Sequence, residues 1–350
     1  NMFNTNIPQK SQPMTKITFD SVIELSFITP ICYFALFIND NIYVLDAVGC
    51  LQKYKFDNQK KNITLIQKES FQDSTLQTYL CSELQNPIQF IRNKKFSFIL
   101  ANNKYSYYYL INCKAMKIEK FSLADDQLIS KISASKSYRI IASSSNKLNS
   151  AIYRGNEFHT IVANYRDVIN CLCISSTFQI SIIGTENGGL LVSSVNSGRI
   201  INVIELGNVE PLKVMITRSF GFIVVETKEI NEGISNYYIS VYTNNGLYIR
   251  KKQISGIIKY WVNWKSPKGF DYIAFVTENT KENVVSYTLY ECEAYYLNIK
   301  KIDYDVKSRV VSMNYLHAYN SLFIAQKNST FAIIPNVIDE LYIEQNRDIK

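Results

Sequence analysis

Few residues in this sequence could perform catalysis or hold a metal, and those few are widely separated. The chain of 350 residues contains two histidines, His159 and His317. Neither has a second histidine or a Cys-x-x-Cys pair nearby, although zinc sites need several such ligands at close spacing. The Gly-x-Ser-x-Gly elbow of hydrolases and the glycine-rich loops that bind phosphates do not occur. The sequence therefore indicates no metal, no cofactor and no nucleophilic catalysis.

Two pairs of carboxylates are the remaining candidates for general acid–base chemistry. Asp125 and Asp126 are adjacent in a polar segment before a predicted strand, where a solvated turn is the simpler interpretation. Glu291 and Glu293 are two apart in a predicted strand and so share one face, but no partner acid or metal motif accompanies them. We therefore expect that the protein is not an enzyme and has no small-molecule substrate.

The cysteine pattern favours free, buried thiols. The number is odd and no two are spaced as Cys-x-x-Cys: Cys32, Cys50, Cys81, Cys113, Cys171, Cys173 and Cys292. Cys171 and Cys173 are two apart in a predicted strand, so both point to one face. Such thiols are typical of a reduced, cytoplasmic protein.

Two groups of residues could contact a partner. The net charge is +8, and the cluster Arg250-Lys251-Lys252 is the best candidate for an anionic partner, the alternative being a solvated strand at the rim of the fold. Trp261 and Trp264 are three apart and so face opposite sides of a strand. One is expected in the core, and Trp264 is taken as the exposed anchor. The sequence has no basic stripe interleaved with aromatic residues, so we expect proteins rather than nucleic acid as partners.

The elements that must position these residues are clearest in the stretch from Tyr165 to Leu206. Four short apolar segments are separated there by three turns, within about the length of one propeller blade. Asn187-Gly188-Gly189 and Asn196-Ser197-Gly198 supply the positive φ angles that tight hairpins need. The pattern predicts four antiparallel strands in succession.

This stretch resembles a WD40 repeat. Asp167-Val168 matches the opening strand, Asn187-Gly188 matches the Asp-Gly hairpin with Asn in place of Asp, and Ser197-Gly198 matches the last turn. However, no Gly-His pair precedes the first strand, and Ser194-Val195 stands where the family has Trp-Asp. The hydrogen-bonded tetrad of the family is therefore absent, and we expect packing to hold the blade together.

The same pattern recurs on both sides and gives seven sets of strands. We predict an all-β, seven-bladed WD40-like β-propeller over residues 16–338, with a flexible lead-in at 1–15 and a polar tail at 339–350. The last set is one strand short, and Lys16–Phe19 is expected to complete it, because closure removes free sheet edges. Six or eight blades, a sandwich, or two smaller β domains are the alternatives. Two segments stand out: Glu69–Glu83 could hold a short helix or an excursion between blades, and Lys228–Asn236 is longer than a tight hairpin and is expected to protrude.

The C-terminal half resembles the C-terminal propellers of BEACH-domain proteins. The resemblance is carried by four segments in the same order and spacing: Ser219–Glu226, Thr243–Ile249, Lys259–Asp271 with its two tryptophans, and Tyr290–Asn298. It implies a non-enzymatic interaction module of a large scaffold in vesicle and membrane trafficking. It also implies that this chain is the end of a longer one, as does a first residue that is not Met.

The location follows from the same observations, with alternatives left open. No segment reaches the roughly 20 apolar residues that a membrane-spanning helix needs, so we expect a cytoplasmic protein that associates peripherally with membranes through the full-length chain. The main rival is a WD40-type adaptor or complex-assembly subunit unrelated to BEACH proteins. A propeller enzyme and direct binding to anionic lipid are further rivals. A steep loss of liposome binding with added salt would support the lipid alternative.

Overall fold

Seven four-stranded antiparallel sheets make up the part of the chain that can be described. The structure is a computed structural model that describes residues 21–336 apart from 72, 82–87, 93–94, 125, 146–147 and 156–159. In six sheets the strands follow one another along the chain from the innermost to the outermost. We number the sheets as blades 1 to 7 in chain order.

The first three blades contain these strands. Blade 1 has β2 (Cys32–Ile38), β3 (Asn41–Asp46), β4 (Cys50–Asp57) and β5 (Asn62–Ser70). Blade 2 has β6 (Ile88–Arg92), β7 (Lys95–Leu100), β8 (Tyr107–Asn112) and β9 (Lys117–Ser122). Blade 3 has β10 (Leu128–Ala134), β11 (Tyr138–Ser144), β12 (Asn149–Gly155) and β13 (Thr160–Tyr165). Between blades 1 and 2 lies the helix α1 (Ser74–Cys81), which confirms the helix expected in that segment.

The remaining blades follow the same plan. Blade 4 has β14 (Ile169–Ser175), β15 (Ile180–Thr185), β16 (Gly189–Ser194) and β17 (Ile200–Glu205). Blade 5 has β18 (Glu210–Ile216), β19 (Ile223–Asn231), β20 (Ile234–Tyr242) and β21 (Tyr248–Ile254). Blade 6 has β22 (Ile257–Lys265), β23 (Asp271–Lys281), β24 (Val284–Glu293) and β25 (Lys300–Lys301). Blade 7 has β26 (Val310–Leu316), β27 (Ser321–Gln326) and β28 (Thr330–Pro335).

An N-terminal strand completes blade 7, but it is not the predicted one. The strand β1 (Ile23–Ser26) pairs with β28, and Ile23 lies opposite Ile333. Sequence analysis assigned closure to Lys16–Phe19, which lies outside the described residues. Blade 1 begins at Cys32 and already has four strands without β1. The buried Ile23 therefore seals the ring between blades 7 and 1.

The core consists of seven apolar clusters, each between two neighbouring blades. Phe34 of blade 1 meets Phe98 of blade 2 with ring centroids 4.1 Å apart. Trp264 of blade 6 stacks on Tyr315 of blade 7 at 4.6 Å. A sandwich would bury its apolar residues in one layer between two sheets. Seven clusters in a closed ring confirm the predicted seven-bladed propeller.

A bulge recurs near the start of the inner strand in six of the seven blades. One residue there has no partner in the second strand, and the six residues are Tyr33, Ser130, Asn170, Leu212, Lys259 and Val311. A bulge bends its strand and re-aims the neighbouring side chains. Because every inner strand borders the central channel, the bulges help to decide which side chains reach it.

The segment Lys228–Asn236 protrudes, as predicted, but it is a hairpin with a tight turn and not a longer connection, which corrects the prediction. The strands β19 and β20 continue through it as a long hairpin that turns at Glu232-Gly233. Blade 6 has a similar hairpin between β23 and β24, which turns at Glu282-Asn283. All four turn residues have positive φ, the geometry of a two-residue turn that matches the twist of its strands.

No helix in the described residues is long and apolar enough to cross a membrane.

Candidate partner-binding face

Both long hairpins project from the same end of the propeller. The inner strand of blade 5 begins at Glu210, which lies opposite Lys228, so the hairpin beyond Lys228 extends past the sheet. In blade 6 the inner strand begins at Ile257, opposite Glu278, with the same result. Blades 5 and 6 are neighbours and share one apolar cluster. We call this end of the propeller the hairpin face.

The hairpin tips carry exposed aliphatic side chains. Ile230 and Ile234 are each 64% exposed, and Val284 and Val285 are 66% and 48% exposed. Asn231 lies opposite Ile234 and Ser235 opposite Ile230, so the two isoleucines lie on opposite faces of their hairpin. The charged residues Glu232 and Glu282 lie in the two turns, so the tips combine exposed apolar and charged side chains, as protein-binding surfaces do.

A cleft lies at the base of the blade 5 hairpin. It has a volume of about 370 Å³ and is lined by Asn187, Gly207 and Ile230, among others. Gly188 has φ +81°, and a Cβ built on it would lie 2.3 Å from the Gly207 oxygen. Only glycine therefore allows this approach of the blade 4 turn to the connection that leads into blade 5. The cleft gives the hairpin face a concave surface beside its apolar tips.

The predicted basic cluster lies on β21, the outermost strand of blade 5, as the alternative interpretation proposed. Lys251 forms an ion pair with Glu229 of the long hairpin, and its ammonium group lies 4.1 Å above the Tyr238 ring. Arg250 points to blade 6 and lies 5.7 Å from the centre of the Tyr296 ring. Lys252 is exposed. Part of the cluster therefore braces the blade 5 hairpin, and Lys252 remains the open cation.

Trp264 is a core residue, which corrects its assignment as an exposed anchor. Its side chain is 1% exposed and stacks on Tyr315 and on Tyr272. Trp261 packs against the cluster between blades 5 and 6 instead. The two tryptophans thus do face opposite sides of β22, but both sides of an inner strand meet a neighbouring blade.

The residues considered for catalysis are dispersed. Among the residues described, no group of three or more His, Cys, Asp or Glu could hold a metal. Glu291 and Glu293 are both buried, and Glu293 accepts a hydrogen bond from the Tyr296 backbone at 2.9 Å. His317 packs edge-on against Tyr315. His159 and Asp125 lie outside the described residues.

Sequence analysis missed a buried carboxylate that joins blade 5 to blade 6. Asp271 accepts hydrogen bonds from the Thr217 hydroxyl at 2.8 Å and from the backbone of Ser219 and Phe220 at 2.8 and 2.9 Å. Ser219 also donates a hydrogen bond to the Gly269 oxygen at 2.6 Å. These bonds fix the first turn of blade 5 to the start of β23 in blade 6.

Cationic side chains line the central channel, and sequence analysis missed these as well. The cavity between the inner strands has a volume of about 510 Å³, and its cations are Lys131, Lys213, Arg218, Lys259 and Arg309. They come from blades 3, 5, 6 and the segment before blade 7. Because each blade supplies only one or two of them, they form no cluster in the sequence.

One carboxylate, Glu226, lies buried behind this cationic wall. It is fully inaccessible to solvent and accepts a hydrogen bond from the Ile258 backbone at 2.6 Å. The Lys213 ammonium group is 3.9 Å away. Burial raises the pKa of Glu226 to about 7, although the charges of Lys213 and Lys259 act to lower it. Near neutral pH Glu226 is therefore only partly ionised, and it neutralises only part of the positive charge of the channel.

Comparisons with known proteins show the fold and no family. Neither the family models nor the curated proteins gave a match. The β-propeller domain of Cps50 (Swd1) from Myceliophteria thermophila is similar with a TM-score of 0.59 and 11% identity, over 90% of this chain and all of that one. KlHsv2 with loop 6CD replaced by a Gly-Ser linker gives 0.55 and 12%, over 89% of this chain and 95% of that one.

A third solved structure, the Hydrazine Synthase of Kuenenia stuttgartiensis, has a TM-score of 0.54 and 11% identity, over 70% of this chain and 74% of that one. The class of this protein is therefore a seven-bladed, WD40-like β-propeller. Since one of the similar structures is an enzyme by name, the fold alone does not separate enzymes from interaction modules.

Proposed function

We propose that this propeller is a non-enzymatic interaction scaffold whose hairpin face binds other proteins. The observation that carries the proposal is the pair of projecting hairpins with exposed aliphatic tips. An exposed aliphatic side chain gains free energy when a partner removes it from water. The brace between Lys251 and Glu229 holds the blade 5 hairpin in place before binding, which reduces the entropy lost on association.

The test compares the proteins captured from cells by the wild-type chain and by two variants. Ile234→Asp with Val284→Asp places a charge on each hairpin tip. Val162→Asp is the matched control, since Val162 is 53% exposed on the outer strand of blade 3. We expect the tip variant to lose specific partners that the control retains. If the tip variant captures the same proteins in the same amounts, the hairpin face is not the binding surface.

The outer strand of blade 5 is a second candidate contact, for an anionic partner. Lys252 is exposed and lies in the same blade as the projecting hairpin. Lys252→Gln in the same capture experiment distinguishes the two surfaces. Loss of acidic partners in this variant would extend the binding surface from the hairpin face to the rim.

We further propose that the propeller is the C-terminal module of a BEACH-type protein in vesicle and membrane trafficking. Two of the segments that resemble that family, Ser219–Glu226 and Lys259–Asp271, are in direct contact through Asp271, which supports treating them as one unit. We also propose a cytoplasmic location, and the free thiols of the six described cysteines support it. The coding sequence upstream of Asn1 tests the proposal. A BEACH domain there supports it, and its absence would leave a WD40-type adaptor or complex-assembly subunit.

A further inference from the structure

The cations of the central channel are more numerous than the carboxylates that could balance them. The described residues that line the cavity include five cations and no aspartate or glutamate. Lys213 has Glu226 at 3.9 Å, and Lys259 has Glu278 at 3.6 Å. Lys131 and Arg309 form no ion pair with a described carboxylate. The channel is therefore an electropositive cavity.

Four of these cations occupy the channel from its middle to its hairpin-face end. Lys131 and Lys213 are each at the middle of an inner strand, Lys259 is the third residue of one, and Arg309 directly precedes one. All inner strands begin at the hairpin face, so Arg309 and Lys259 lie nearer that mouth, and Lys131 and Lys213 lie deeper in the channel. Arg218 follows its strand and lies toward the other end. We call Lys131, Lys213, Lys259 and Arg309 the channel site.

The lysines are close enough to influence one another. The pKa of Lys213 is lowered, chiefly by burial, which the Glu226 charge opposes and which the positive charges of Lys131 and Lys259 reinforce. Asn170, at the bulge of blade 4, also borders the cavity, and its buried amide nitrogen has no hydrogen-bond acceptor in the described residues. Mutual repulsion of the lysines is unfavourable, and an anion bound among them would relieve it.

We propose that the channel site binds a small molecule that carries two or more phosphate groups. Lysine and arginine are the usual partners of phosphate oxygens. The cations come from blades 3, 5, 6 and 7, so a single small anion could contact only some of them, whereas several phosphates on one scaffold could contact all. A volume of about 510 Å³ lies within the range of small-molecule sites. This ligand differs from the sequence-based expectation that only proteins bind.

The test is isothermal titration of the whole chain with inositol hexakisphosphate, with orthophosphate as the single-phosphate probe. We expect the hexakisphosphate to bind with an affinity that falls as salt is added, and orthophosphate not to bind at the same concentration. Lys131→Gln and Arg309→Gln should each weaken binding about tenfold, the loss expected for one charge-assisted contact. Both side chains are exposed to the channel and form no described ion pair, so we expect both variants to fold.

Lys117→Gln is the matched control, because Lys117 is exposed on the outer strand of blade 2 and far from the channel. An equal loss in this variant would mean diffuse attraction to net charge and would overturn the proposal. Absence of hexakisphosphate binding by the folded wild-type chain would also overturn it. A third arm uses a short poly-glutamate peptide. Binding of the peptide alone, lost in Arg309→Gln, would mean that the channel takes an acidic protein segment instead.

Discussion

Replacing Glu226 by glutamine should make the protein more stable above neutral pH and leave it unchanged in acid. Glu226 is fully buried, and its folded-state pKa is about 7 against an ordinary value of 4.5. The folded protein therefore binds this proton more tightly than the unfolded chain does. Stability from this group is fully present below about pH 4.5 and is lost as the pH rises through about 7. Glutamine resembles the protonated acid at every pH.

The magnitude follows from the difference in pKa. Since one pKa unit corresponds to about 1.4 kcal/mol, ionisation of Glu226 in the folded state costs roughly 3 kcal/mol at high pH. Glu226→Gln should remove most of that cost, because its carbonyl can still accept the hydrogen bond from Ile258. Lys213 and Lys259 are the cations that face this group. They meet a neutral side chain in the variant, as they do in the wild type at low pH.

The measurement is the free energy of unfolding by denaturant at about pH 5 and about pH 8 for the wild type, Glu226→Gln and a control. Glu282→Gln is the control, since Glu282 lies exposed in the turn of the blade 6 hairpin. We expect the Glu226 variant to match the wild type at the lower pH and exceed it by roughly 2–3 kcal/mol at the higher. A variant that is less stable at the higher pH would refute the argument, because Glu226 would then be a net stabilising ion-pair partner.

Three further predictions follow from burial and hydrogen bonding. Trp264→Ala should lower the free energy of unfolding by about 3–5 kcal/mol. Trp261→Ala should lower it by less, because Trp261 is only partly buried. Equal losses of the two variants in denaturant melts would contradict the packing described. Asp271→Ala should lower the free energy of unfolding by about 3 kcal/mol in the same melts, because it leaves two backbone N–H groups without an acceptor. A loss below about 1 kcal/mol would mean that water replaces the carboxylate as acceptor. The six described cysteines are buried and burial raises the pKa of each thiol. Iodoacetamide should therefore label none of these six rapidly in the folded protein, as peptide mass spectrometry can show.

Turn chemistry made the blade number predictable from the sequence. Residues such as Asn187-Gly188 and Ser197-Gly198 mark the ends of short apolar segments, and the segments recur at the length of one blade. The closing strand was assigned wrongly for a physical reason. Strands of every blade pack against a neighbouring blade and are apolar. The composition of Ile23–Ser26 therefore shows that it is a strand but not which blade it joins. Only the ring geometry shows that blade 1 is already complete without it.

The candidate sites were less predictable, because cations that are adjacent in the sequence lie on outer strands, whereas the cations that the fold brings together are far apart in the sequence. Adjacent cations such as Arg250-Lys251-Lys252 occur together on an outer strand, where each residue can reach solvent. A channel takes side chains from several inner strands, so Lys131, Lys213 and Lys259 are separated by tens of residues. The regular hairpin with exposed tips was not predictable, because the polar ends of extended strands and an irregular connection have similar compositions.

The repeated bulge allows corresponding positions to be compared from blade to blade. The residue just after each bulge pairs with one residue of the second strand, and in the six bulged blades these partners are Leu45, Ala142, Gly184, Glu226, Val276 and Ala325. Five are uncharged, so the fold does not require a charge there. Glu226 therefore lies where the architecture favours apolar packing. A buried carboxylate, even with a cation nearby, adds little stability over such packing, which makes this position an indication that the channel has a function beyond closing the ring.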